Sequence, residues 1–130
     1  MPGSPFVALR DVHFSHESAA TPLLEGLSLR LPCGWTGVVG PNGGGKTTLL
    51  RLVTGEIPPQ QGQVQAPARA LLCEQRTDAP PALLDALLEA TDGDAVLWRE
   101  RLRVPADAGA RWATLSFGER KRAQLAVALW

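Results

Sequence analysis

The stretch 40-GPNGGGKTT-48 decides how the rest of the chain is read. Gly40, Gly45, Lys46 and Thr47 fit the pattern G-x-x-x-x-G-K-[ST]. A polyphosphate is wrapped by consecutive backbone N–H groups, and side chains would block their approach. Gly43, Gly44 and Gly45 carry no Cβ and tolerate positive φ, while Pro41 and Asn42 complete the loop after Gly40. A helix starting at Lys46 aims its N-terminal amides and dipole at the same anion. Lys46 reaches the terminal phosphates as a point charge, and the Thr47 hydroxyl suits Mg²⁺. Thr48 stays open between a phosphate contact and a helix cap.

The flanks fit a strand–loop–helix context. "WTGVVG" (35–40) is short and mostly apolar, as a buried parallel strand would be. Beyond Lys46, the residues Leu49, Leu50, Leu52 and Val53 mark one helical face, and Gly55 sits where a C-terminal cap belongs. Upstream, Val7 to Phe14 is rich in strand formers but is broken by Arg10-Asp11. "LSLRLP" alternates with period two, which predicts a strand with one wet face. "IPPQQGQ" reads as a loop, followed by two strand candidates, 63–66 and 70–74. Pro80-Pro81 opens a helical stretch over 82–90, and a second follows over 95–103. The final segment, "TLSFGERKRAQLAVALW" from Thr114 to Trp130, is a polar start leading into a helix. Its apolar positions are Phe117, Leu125, Ala126, Val127 and Leu129.

Composition bounds the alternatives. With 130 residues, 45% of them apolar, the chain can hold one domain with a core. Thirteen basic and thirteen acidic residues cancel, so net charge gives no argument for nucleic acid or membrane. The local excess at Arg111, Arg120, Lys121 and Arg122, with Glu119 among them, reads as a solvated helix face. Cys33 and Cys73 show no metal-ligand spacing, and each reads as a buried reduced thiol. No apolar run approaches a membrane span, and "MPGSPFVALRD" lacks the pattern of a secretory signal. A cytoplasmic protein with no direct membrane insertion is expected.

The phosphate loop alone does not choose among kinases, GTPases and ATPases. A second motif does. "LSFGERKRAQLAVAL" resembles the signature of ATP-binding cassette (ABC) proteins, and the order is theirs: phosphate loop, Gln75 after "LLCE", helical insertion, signature. The resemblance covers nearly the whole chain. It implies an α/β, P-loop NTPase-like cassette core: an antiparallel β piece plus a parallel sheet with the phosphate-loop helix, and a small helical insertion. The expected division of this single partial domain is 1–76 for the nucleotide-binding core, 77–113 for the insertion and 114–130 for the signature and its helix.

The resemblance also implies roles. Gly40 to Thr48 bind ATP and Mg²⁺, and Gln75 resembles the glutamine that contacts Mg²⁺ and the attacking water. His16 falls where the family often stacks an aromatic on adenine, and an ordinary exposed loop histidine is the other reading. Ser116, Phe117, Gly118 and Glu119 would close on ATP held by a second cassette, in a head-to-tail dimer or tandem. Phe117 replaces a glycine of the usual signature. It is tolerated if the position needs negative φ and strained if it needs positive φ. "GERKR" and the short insertion look most like the soluble F-type cassettes that act on ribosomes. A transporter subunit, or a truncated cassette that pairs with an intact one, is the alternative. The family's magnesium-holding Asp, general-base Glu and later His have no counterpart in these 130 residues, and ATP hydrolysis is expected only of a complete domain or dimer.

Overall fold

In the computed structural model, residues 6–130 are described. The stretch read above for a secretory signal begins with Met1–Pro5, which lie outside them. The chain forms two compact units, Met1–Leu72 and Cys73–Trp130.

The first unit is built on three strands and one helix: β1 (Val7–Phe14), β2 (Leu24–Leu31), α1 (Lys46–Thr54) and β3 (Gln61–Gln65). The sheet order is β2-β1-β3, and both pairings are antiparallel. Leu9 sits opposite Leu29 on one side and Val64 on the other, so one face is apolar. The break expected at Arg10-Asp11 is a bulge. Asp11 has φ 49° there, and its N–H donates to Ser28 Oγ at 2.9 Å. Opposite the bulge Gly62 has φ 85°, and a Cβ on it would overlap the carbonyl oxygens of Arg10 and Asp11. The core is Leu9, Val12 and Leu52, flanked by residues that include Leu49, Val53 and Ile57.

Several sequence expectations change in this part of the chain. Leu50 is exposed, because Leu49, Leu52 and Val53 are the i, i+3, i+4 set and Leu50 lies 100° around the helix. Residues 35–40 form no strand. Trp35 and Val39 are 102% and 93% exposed, since no described strand flanks the segment to take its hydrogen bonds. The parallel sheet expected from the resemblance is therefore absent among the described residues, and so is the strand expected at 70–74. Cys33 is exposed, lying in the turn that Pro32 and Gly34 make after β2.

The second unit holds α2 (Leu84–Glu89), α3 (Gly93–Arg101), a 3-10 turn (Trp112–Thr114) and α4 (Phe117–Leu129). Its core joins Leu84, Leu87, Ala95, Ala108, Trp112, Leu115, Ala123, Ala126 and Val127. On α4 the buried face is the small-residue set Ala123, Ala126 and Val127 together with Gln124. Of the other apolar positions of this segment, Phe117, Leu125 and Leu129 are exposed. Trp112 is buried, and its Nε1–H donates to the carbonyl of Thr77 at 3.0 Å. α3 starts on Asp92, whose carboxylate accepts from the Ala95 N–H at 2.9 Å and from Trp130 Nε1 at 3.2 Å. These bonds, the Ala95 amide first, hold the Asp92 carboxyl below its ordinary pKa. None of the described helices is long and apolar enough to cross a membrane.

Trp112→Ala is expected to cost about 3–5 kcal/mol, enough to unfold a small unit, and Trp112→Phe about 1 kcal/mol for the lost hydrogen bond. Urea unfolding followed by circular dichroism measures both. Asp92 is depressed in the folded state, so its stabilisation is present above the unfolded value near pH 4 and is lost as pH falls through the lower folded value. Asp92→Asn, which cannot lose a charge, is expected to flatten that acid limb in thermal melts taken at stepped pH.

Candidate phosphate site and signature segment

The loop before α1 is shaped by its own backbone. Gly43 and Gly45 take φ 79° and 85°, and the Gly44 N–H donates to the Pro41 carbonyl at 3.1 Å. Gly45 is the N-cap of α1 and its carbonyl accepts from the Leu49 N–H at 2.8 Å. A Cβ at Gly45 would meet Leu23 at 3.2 Å, and one at Gly44 would sit 3.0 Å from the Pro41 carbonyl oxygen. A side chain at Gly45 would be strained by its positive φ, and one at Gly44 would crowd the Pro41 carbonyl. Lys46 folds back over it, with Nζ donating to the carbonyls of Gly40 at 2.8 Å and Pro41 at 2.6 Å. The first turn of α1 carries no acidic residue. Unhindered amides, a helix N-terminus and a lysine beside them fit a polyphosphate.

The residues around Mg²⁺ chemistry are sparser. Thr47 is exposed in the first turn of α1. Among the described residues no cluster of three His, Cys, Asp or Glu could hold a metal ion alone. An ion at this loop would thus rest on Thr47, phosphate oxygens and water.

His16 and Thr48 are brought together in the first unit. Thr48 is 7% exposed, and its Oγ1 lies 3.4 Å from His16 Nε2. It is not the helix cap, which is Gly45. The Phe14 ring meets the imidazole edge-on, with centroids 5.2 Å apart. A residue read only as loop holds this turn in place: Gln60 accepts from the Ser15 N–H at 2.8 Å and donates back to the Ser15 carbonyl at 3.0 Å. A single glutamine in a polar loop gives no sequence signal for such a two-way pairing.

The signature segment lies in the second unit. Ser116 caps α4 in a capping box. The Glu119 N–H donates to Ser116 Oγ at 3.3 Å, while Glu119 Oε2 accepts from the Ser116 N–H at 2.8 Å and its hydroxyl at 2.7 Å. The Ser116 hydroxyl, ahead of the backbone N–H, holds the Glu119 carboxyl below its ordinary pKa. Phe117 is the first residue of α4, lies outside the positive-φ set and is 64% exposed. The strain that a left-handed position would impose on it does not arise. The amides of Phe117 and Gly118 occupy the first helical positions, where no intrahelical acceptor exists.

Gln75 is exposed and lies in the same unit, on an irregular run, not at a strand end. Four consecutive carbonyls there are taken by side chains of the signature region. Lys121 Nζ donates to Glu74 and, at 3.3 Å, to Gln75. Gln124 Nε2 donates to Arg76 at 2.7 Å. Trp112 Nε1 and Arg120 Nη1 donate to Thr77 at 3.0 and 3.4 Å. Arg120 also donates to the carbonyls of Trp112 and Ala113, and Arg122 Nε to that of Leu102. The basic run expected to be a solvated face is thus a set of half-buried donors to carbonyls of the irregular segments beside α4. Arg111 alone stays exposed, paired with Asp107 at 3.2 Å. Cys73 is half-buried, its Sγ 3.9 Å from Gln124 Oε1.

Comparison with known proteins identifies the family. A family model described as "ABC transporter" matches residues 24–130. The chain is 38% identical to the ABC transporter ATP-binding protein RamB of Streptomyces coelicolor, over 91% of this chain and 24% of that protein. It is 35% identical to the aliphatic sulfonates import ATP-binding protein SsuB of Granulibacter bethesdensis, over 99% of this chain and 57% of that protein. The chain thus spans about a quarter to somewhat over half the length of these relatives. Among solved structures, a bacterial Atm1-family ABC exporter with ATP bound matches 99% of this chain and 28% of its own, with a TM-score of 0.75 at 21% identity. That likeness concerns the fold. With its phosphate loop opening α1 and its signature capping α4, the chain belongs to the ABC transporter family, as part of an ATP-binding cassette of the P-loop NTPase fold.

Proposed function

We propose that this chain is the nucleotide-binding part of a transporter-type cassette and binds ATP through Gly40–Thr48. The observation that carries the reading is the closed loop itself. Gly43 and Gly45 take positive φ, Gly44 stands close against Pro41, and the Lys46 ammonium lies on the carbonyls of Gly40 and Pro41, all at a helix start. An arriving phosphate offers Lys46 a stronger, charge-assisted partner than the two carbonyls it holds now. Thr47 is assigned to the Mg²⁺ that travels with ATP, which would supply charge neutralisation between the phosphates; Gln75 keeps the role that the resemblance implies for it. His16, whose ring touches Thr48 and Phe14, is assigned to the adenine base.

Ser116, Phe117 and Gly118 are assigned to the terminal phosphate held by a second cassette. Glu119 fixes the cap geometry that presents those donors. In this reading the chain is one partial cassette, with a core over 1–76, a helical insertion over 77–113 and the signature over 114–130. Hydrolysis belongs to the complete domain or dimer, and the partners are a second cassette and a membrane transporter subunit. The two long relatives, RamB and SsuB, are named as transporter ATP-binding proteins, and this favours transport over the F-type, ribosome-associated reading of "GERKR".

Isothermal titration with ATP tests the loop assignment. Lys46→Ala is expected to weaken binding by at least tenfold, with the circular dichroism spectrum unchanged. Gly45→Ala forces a Cβ into a left-handed position against Leu23 and is expected to cost about 1–2 kcal/mol of stability along with affinity. Equal affinity of wild type and Lys46→Ala would contradict the assignment.

A further inference from the structure

His16 stands on backbone that lies just past a strand pairing. β1 ends at Phe14 and β3 begins at Gln61, so Ser15 and His16 fall outside the paired residues. The residues before Gln60 are Pro58 and Pro59, which have no N–H to carry the β1–β3 pairing further. Gln60 takes it over. Its backbone N–H donates to the His13 carbonyl at 3.1 Å. Its side-chain Oε1 accepts from the Ser15 N–H at 2.8 Å, and Nε2 donates to the Ser15 carbonyl at 3.0 Å. A primary amide carries the donor and acceptor of a peptide group, so it stands in for one more residue of β3. The Ser15 carbonyl belongs to the peptide bond that leads into His16, so this pairing holds the backbone from which the imidazole projects. Gln60 is exposed, and it acts by restricting the loop, not by burial. The ring has restraints of its own: Thr48 Oγ1 lies 3.4 Å from Nε2, and the Phe14 ring meets it edge-on.

We infer that Gln60 is a positioning residue for His16: by completing the β1 edge with a side chain it fixes where the imidazole is offered, and so contributes to the preference for a nucleotide over bare polyphosphate. Gln60 does not need to touch the nucleotide. The inference rests on the reading of His16 as the adenine contact. It adds that the usefulness of that contact is decided by a glutamine outside both motifs, in a loop where any polar residue would keep the chain soluble. An imidazole offers a base less stacking area than a larger aromatic ring, so its contribution depends on the ring being held ready before the base arrives.

The test is calorimetric titration of the 130-residue chain with ATP and, separately, with inorganic tripolyphosphate. The tripolyphosphate affinity reports the phosphate loop, and the extra affinity for ATP reports the nucleoside. His16→Ala is expected to cut that extra affinity by about tenfold. Gln60→Leu is expected to cut it by about threefold, with the tripolyphosphate affinity within about twofold of wild type. Gln60→Glu keeps an acceptor for the Ser15 N–H but sets a carboxylate against the Ser15 carbonyl. It is expected to behave as Gln60→Leu does, and it decides the test if Gln60→Leu does not fold. The double variant of His16→Ala and Gln60→Leu is expected to be no weaker than His16→Ala alone, because Gln60 acts through the ring. Losses that add in the double variant, or that fall equally on ATP and tripolyphosphate, mark a merely structural role and overturn the inference. Full ATP preference in both Gln60 variants, with the preference lost in His16→Ala, overturns it too and leaves the His16 assignment standing. A preference retained in His16→Ala overturns the inference together with that assignment. Failure of the wild type to bind either ligand contradicts the phosphate-loop reading and the inference that depends on it.

Discussion

Backbone that leaves regular structure still has to satisfy its polar groups, and in this chain side-chain donors meet that demand at the phosphate loop, beside His16 and along the run that holds Gln75. Lys46 closes the phosphate loop by taking the Gly40 and Pro41 carbonyls. Lys121, Gln124, Arg120 and Trp112 do the same for the run from Glu74 to Thr77. Gln60 does it for Ser15, next to His16. Irregular segments are what a binding site needs, because regular ladders consume the amides and carbonyls that a ligand would use. Their cost is conformational freedom, and the donors remove it without building a strand.

The phosphate loop illustrates how the constraint becomes chemistry. Gly43 and Gly45 turn the chain through left-handed φ values that other residues rarely adopt. The lysine that steadies the loop through neutral carbonyls is the group that a phosphate would recruit. The capping box on Ser116 has the same double character. The carboxylate of Glu119 orders the helix start, and the neighbouring amides of Phe117 and Gly118 are left with no intrahelical acceptor.

Much of this was legible in the residues. The phosphate loop, α1 and its Gly55 cap, β1 with its break at Arg10-Asp11, and the signature helix follow from glycine spacing and periodicity. What was not legible depends on neighbours. "WTGVVG" has the composition of a buried strand, yet composition cannot supply the flanking strand that would pair it. Leu125 and Leu129 are apolar, but α4 buries its small residues, because Ala123, Ala126 and Val127 let other elements approach closely. The basic run at 120–122 looked like a solvated face. Its donors find carbonyls that only the tertiary arrangement brings within reach. Phe117 was ambiguous only while its φ was unknown, and its place as the first residue of a helix removes the question.

The central claim is that ATP is held by the backbone of the loop at 40–48. Amide resonances in a ¹⁵N–¹H spectrum, followed during ATP addition, test it most directly. The account predicts large, saturable shifts at Gly43, Gly44, Gly45, Lys46 and Thr47. Saturable shifts confined to other residues, with these amides unmoved, would contradict it.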